Sequence, residues 1–180
     1  MKSVKISALV VLLSMLFSSL AFNASAQIRD YRFHTVFIYN FTKLIKWPTN
    51  YQSGDFVIGV LGNSPIIREL QKMAARKTAG MKRQRIVIKR FGSLSQINNC
   101  HILFIPNSKS SYLPTINQSF PRSPMLVVTE KRGMAQSGSG INFVLRNGRW
   151  RFELNQNATA NRGLIVSRNL KRFAIPVMGK

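Results

Sequence analysis

Few residues in this chain can do acid–base, metal or nucleophilic chemistry, and those few lie far apart. The acids are Asp30, Asp55, Glu69, Glu130 and Glu153; the other reactive groups are His34, His101 and Cys100. No two acids are closer than 14 residues, so no local pair sets a general acid beside a general base. Two histidines and one cysteine without ligand-type spacing do not make a zinc site. No G-x-S-x-G elbow, P-loop or G-x-G-x-x-G fingerprint is present. His34 falls inside the apolar arc of a helix and His101 inside an apolar strand, which reads both as core histidines rather than bases or ligands. Cys100 opens that strand and reads as a buried thiol, with a reactive or intermolecular thiol as the alternative. No catalytic residue, metal or cofactor is assigned on these grounds.

Binding chemistry is better represented. The chain has 27 basic residues, densest at Lys82 to Arg85, Lys89-Arg90, Arg146 to Arg151 and Lys171-Arg172. Such a surface suits an anionic partner: membrane phosphate, an envelope glycolipid or an acidic protein face. It equally suits a simply solvated surface. Two places are sharper. The turn Gly62-Asn63-Ser64 joins a strand to a helix start, where free N–H groups and the helix dipole favour an anion, although any βα turn uses such residues. Trp47, before Pro48, together with Arg146, Arg149 and Arg151, offers the aromatic and arginine side chains enriched at interface hot spots. The competing reading of Trp47 is a packed helix stop.

The elements that must position these residues begin after an export signal. Lys2 and Lys5 precede an apolar stretch from Ile6 to Phe22, and Ala24-Ser25-Ala26 forms a small-x-small cleavage site. Residues 1–26 are therefore expected to be a signal peptide, cleaved after Ala26, and residues 27–180 a single exported domain. That mature chain has 154 residues and a formal charge of +20. Export argues against a nucleic-acid partner, and one cysteine leaves no intramolecular disulfide, so packing must hold the fold.

Arg29 to Trp47 is expected as a helix stopped by Pro48, with Phe33, Val36, Phe37, Phe41 and Leu44 on one face. Its polar arc is Arg32, Thr35, Tyr39, Thr42, Lys43 and Lys46. So wide an apolar arc calls for a sheet plus a second helix or a second subunit. Apolar strands follow at Phe56 to Leu61, Ile86 to Ile88, Ile102 to Ile105 and Met125 to Val128. Helical crossovers between them make an α/β fold: a three-layer sandwich with a mostly parallel central sheet and helices on both faces. The chain then changes to a C-terminal antiparallel hairpin. Asn147-Gly148 predicts a type I′ turn, setting Leu145 opposite Trp150, Phe143 opposite Phe152 and Ile141 opposite Leu154. Short helices at Gln156 to Arg162, ended by Gly163, and Arg168 to Ala174, capped by Ser167, complete the reading.

The run Tyr39-Asn40-Phe41-Thr42-Lys43-Leu44-Ile45-Lys46-Trp47-Pro48 resembles the signature of the YfiR family of periplasmic proteins. The strand ending at Leu61-Gly62 and the segment Asn99 to Ile105 are similar too. So are Gly140 to Val144, Arg151 to Asn155, Gly163-Leu164 and Ser167 to Ala174. The resemblance implies a small α/β domain, often a homodimer, without catalytic activity. It implies a regulator that binds and restrains the periplasmic part of an inner-membrane sensor, typically a diguanylate cyclase that controls cyclic di-GMP and biofilm formation, or else a histidine kinase. Family members with disulfides use more than one cysteine, so that redox control does not transfer. The alternative function is a periplasmic binding protein for an anionic small molecule or envelope polymer, with peripheral contact to an anionic envelope surface. Salt separates the two, because an ionic site weakens steeply with ionic strength and an apolar protein interface does not.

Overall fold

The computed structural model describes residues 31–178. The expected signal peptide and its cleavage site lie outside those residues. Helix α1 (Tyr31–Leu44) buries His34, Thr35, Ile38, Phe41 and Thr42. Its buried face is thus turned from the expected one: Val36 is 58% exposed, and two threonines of the supposed polar arc are inside. Thr42 can be buried because its hydroxyl donates to the Tyr39 carbonyl at 2.7 Å. That bond satisfies the one polar group a threonine brings inward.

The helix also ends earlier than Pro48 requires. Ile45–Lys46 (β1) pairs antiparallel with Ile165–Val166 (β9), and Ser167 N–H donates to the Leu44 carbonyl at 2.9 Å. A long-range pairing captures the last turn, which the local pattern could not report. Trp47 is a correction of another kind. It is only 4% exposed, and its indole packs edge-on against Phe56 at 5.0 Å. The packed helix stop replaces the exposed aromatic corner, because the chain folds back through a short 3-10 turn, Thr49–Tyr51, and Gln52 Nε2 donates to the Trp47 carbonyl at 2.6 Å.

The main sheet follows as β2 (Phe56–Leu61), β3 (Thr78–Ala79), β4 (Gln84–Phe91), β5 (Ile102–Ile105), β6 (Leu126–Thr129), β7 (Ile141–Arg146), β8 (Arg149–Asn155) and β10 (Ile175–Val177). Their spatial order is β10-β8-β7-β6-β5-β2-β4-β3, and within it the β7–β8 and β3–β4 pairs are antiparallel. The helices α2 (Ile66–Ala74), α3 (Leu113–Ser119), α4 (Gln156–Ala160) and α5 (Arg168–Phe173) connect or close the strands. Side chains alternate between the two faces of each strand, so a sheet covered on both sides reads as continuous apolar runs. One face sets Ile58, Phe104, Val128, Phe143 and Phe152 against α1, α2 and α5. The other sets Leu61, Phe91, Leu103, Ile105 and Val127 against α3. The expected α/β sandwich with its mostly parallel sheet is the fold.

The hairpin has the expected register, with Ile141 opposite Leu154, Phe143 opposite Phe152 and Leu145 opposite Trp150. Asn147 (φ 49°) and Gly148 (φ 71°) are both left-handed, as a type I′ turn demands. Ser167 caps α5 by accepting from Leu170 N–H, and Gly163 (φ 69°) ends the turn after α4.

Gly59 shows how tightly the second face is packed. A Cβ there would lie 2.3 Å from the Phe91 ring and 2.9 Å from Cys100 Sγ. The ring of the neighbouring strand therefore occupies the space a side chain would need. Cys100 is 4% exposed, its Sγ lies 2.9 Å from the Ile102 carbonyl, and burial pushes its thiol up to about 12. So high a value leaves no thiolate to react at neutral pH. Gly59→Ala is expected to cost about 1–3 kcal/mol through overpacking, read as a lower urea midpoint at an unchanged slope. Adding Phe91→Leu should recover part of that loss, and equal midpoints for Gly59→Ala and the parent would refute this account.

Candidate functional site

The face of the sheet that carries α3 changes character across β6, β7 and β8. The apolar layer gives way to Thr129, Asn142, Glu153 and Asn155, all 3% exposed or less. Buried polar groups must find partners, and these find one another. Asn142 Nδ2 donates to Glu153 Oε2 at 2.9 Å, and Thr129 Oγ1 donates to Asn142 Oδ1 at 2.8 Å. The carboxylate accepts only, which fixes the amide orientation and with it the hydroxyl's direction. Ser139 Oγ stands 2.9 Å from Thr129 Oγ1 and brings in the loop before β7. Asn155 Nδ2 donates to the Ala135 carbonyl at 2.9 Å, and its Oδ1 accepts from Ala158 N–H, capping α4.

This buried lattice leads outward to the basic edge. Arg146 Nη2 lies 3.6 Å from Glu153 Oε1, and Arg146 is 56% exposed over its side chain while Glu153 is 4% exposed. The hairpin register pairs Arg146 with Arg149, Val144 with Arg151 and Asn142 with Glu153, so all six share this face. The structure thus brings the three candidate arginines together at the hairpin tip, with Arg149 and Arg151 exposed. Trp47 is not with them, since it lies in the core near the start of β2. The aromatic beside this edge is Trp150, half-buried on the opposite face of the hairpin, with the 42% exposed Leu145 across from it. The period-2 alternation around Asn147-Gly148 is the signal that points to Trp150.

A second buried cluster ties α1 to the sheet's carboxyl end. Glu130 Oε1 accepts from Asn107 N–H at 3.0 Å and from the Tyr31 hydroxyl at 3.2 Å. His34 Nε2 lies 3.8 Å from Glu130 Oε2, and the two side chains are 0% and 1% exposed. This is the long-range acid–histidine approach that local spacing could not show. Its burial makes it an anchor. Among the described residues, no group of three or more His, Cys, Asp and Glu side chains is arranged to hold a metal ion.

Arg162 has no sequence signal beyond its type. It is 6% exposed, with Nη1 donating to the Phe120 carbonyl at 2.7 Å and Nη2 to Asn117 Oδ1 at 3.1 Å. A cation at the carboxyl end of α3 also meets the helix dipole favourably, although burial lowers its pKa from the ordinary arginine value.

The Gly62-Asn63-Ser64 turn sits where the strand order reverses, between β2 and β5, the usual place for a ligand crevice in such sheets. Its groups are partly engaged. Gly62 (φ 75°) donates to the Phe91 carbonyl at 2.8 Å, and Asn63 Oδ1 accepts from Arg90 Nη1 at 2.8 Å. The Lys109 stem lies against the turn, 3.0 Å from where a Gly62 Cβ would stand.

The fold is thus an α/β domain with a buried polar lattice, a basic hairpin edge and two buried histidines. The YfiR/HmsC-like family model matches residues 31–175, and the chain belongs to that family. The family is associated with periplasmic regulation of cyclic di-GMP signalling. No curated protein matches the chain. Among the described residues, no helix is long and apolar enough to cross a membrane.

His101 gives the domain a pH dependence. It is 5% exposed and stacks on Phe56 at 4.4 Å. Nδ1 accepts from Val57 N–H at 3.1 Å, and Nε2 lies 2.9 Å from the Tyr51 carbonyl, which fixes the neutral Nε2–H tautomer. Burial lowers its pKa below the ordinary histidine value. The unfolded chain therefore takes up this proton more readily than the fold does, so stability is full above about pH 6.5 and falls as pH drops below it. Urea midpoints measured from pH 7.5 to 5 should decline, and His101→Gln should flatten that decline. An unchanged pH slope in the variant would remove His101 as the cause.

Proposed function

We propose that this protein is a non-catalytic periplasmic regulator that binds and restrains the periplasmic part of an inner-membrane signalling protein, a diguanylate cyclase or a sensor kinase. The observation that carries the reading is its family. Export by a signal peptide cleaved after Ala26 belongs to the same proposal, and the mature protein should begin at Gln27.

The hairpin tip is the contact surface in this proposal. It joins an arginine face (Arg146, Arg149 and Arg151) to an apolar face (Leu145 and Trp150) on one two-stranded element. Its type I′ turn and cross-strand register hold the tip in one shape, which lowers the ordering cost of docking. The partner surface that complements it is acidic with an apolar centre. A second reading, a binding protein for an anionic small molecule or envelope polymer, draws support from Arg90 and Lys109 beside the Gly62-Asn63-Ser64 turn. That mode should weaken steeply with salt.

In-cell crosslinking of the tagged mature protein, followed by mass spectrometry, should recover one inner-membrane protein with a cyclase or kinase domain. Arg149→Glu combined with Arg151→Glu should lower affinity for that partner at least ~tenfold. The charge-matched control Arg122→Glu with Lys131→Glu should change it little. Equal affinities for the two double variants would exclude the hairpin tip. Capture of only lipid, glycan or a diffuse set of acidic proteins would argue against the regulatory reading.

A further inference from the structure

The edge of the molecule around α1, α2 and β3 carries two adjoining hollows that the partner surface does not use. The first is a slot of about 250 Å³ floored by Ile45, Trp47 and Phe56. These floor residues are 4% exposed or less, yet Trp47 Nε1 is buried without a hydrogen-bond partner among the described residues. Lys43, Lys46 and Lys82 also line the slot.

The second hollow, of about 680 Å³, is shaped by Tyr39, Lys43, Arg76, Lys77 and Arg83. Lys43 and Gly80 border both spaces. Lys43 Nζ lies 4.6 Å and Lys77 Nζ 5.8 Å from the Tyr39 ring centroid, which gathers two ammonium groups at one aromatic ring. Arg85 also borders the hollow but is taken by Asp55, with bonds of 2.9 and 2.7 Å. No acidic side chain lines either space among the described residues. Charge gathered without counter-charge in the lining, beside an apolar slot, calls for an anion that carries an apolar group.

We infer that the two hollows form one binding site for a small apolar phosphate monoester, whichever membrane partner the protein restrains. The phosphate, with close to two negative charges at neutral pH, lies among Lys43, Arg76, Lys77 and Arg83. The apolar group enters the slot over Trp47 and Phe56. The slot's volume equals about eight waters, which suits one ring or a short chain rather than the paired tails of a phospholipid.

The test is calorimetry and indole fluorescence on the mature full-length protein, with phenyl phosphate as probe. Phenyl phosphate should bind at least ~tenfold more tightly than inorganic phosphate. It should also shift Trp47 emission in a Trp150→Phe background, where Trp47 is the sole indole. Lys43→Ser and Arg76→Ser, both changes at the hollow's rim, should each weaken binding several-fold. Equal affinity for phenyl phosphate and inorganic phosphate would overturn the site, as would full affinity in Lys43→Ser and Arg76→Ser. Binding confined to phosphatidylglycerol vesicles would overturn it too, because the basic edge would then be a membrane contact.

Discussion

The contact on which the fold turns is the packing of the first helix against the last hairpin. Phe41 stands 5.4 Å from Phe152 and 6.1 Å from Phe143, Phe37 stands 5.3 Å from Phe152, and His34 stands 4.2 Å from Phe143. These elements are about a hundred residues apart in sequence, and no disulfide joins them, since Cys100 is free and buried. Aromatic pairs of this kind add about 0.5–1.5 kcal/mol each beyond the area they bury. Because the hairpin strands are part of the main sheet, these contacts tie the helix to the sheet itself. The Glu130 anchor then fixes the start of α1, and the separate two-stranded β1–β9 pair fixes its end.

The opposite face solves a different problem. Apolar side chains from α3 cover only part of it, and the strands nearest the hairpin present polar residues there instead. A buried carboxylate is tolerable because Asn142 donates to it directly and Arg146 approaches it from the solvent side. The consequence is directional. Arg146 is held by Glu153, and through the hairpin register its neighbours Arg149 and Arg151 are held beside it. A surface that composition alone describes as merely basic becomes a shaped edge, with the aromatic Trp150 behind it.

How much of this could be read beforehand depended on the range of the interaction concerned. The hairpin was legible residue by residue, because a type I′ turn and a two-residue period fix register locally. The buried strands were legible as apolar runs, since both faces of the sheet are covered. The end of α1 was not, because Ile45 and Lys46 are claimed by strand residues more than a hundred positions away. The burial of Trp47 was not, because it depends on the chain doubling back through Gln52. Of the candidate site residues, the three arginines do share a face, whereas Trp47 lies in the core. The hairpin register sets Asn142 opposite Glu153 and Val144 opposite Arg151, as the turn implies, whereas the Glu130 anchor and Arg162 were invisible because each joins groups from separate elements, and a lone Glu or Arg says nothing of the partner it will meet.

The sheet's two ends have a consequence for how copies of this protein meet. One edge is β3, two residues long, and the other is β10, three residues with Pro176 at the centre. Each border strand therefore offers only two backbone N–H groups, too few to template another strand along its length. Growth of the sheet from one molecule into the next is stunted at both borders. Two such short borders spare the protein from polymerising through its own backbone.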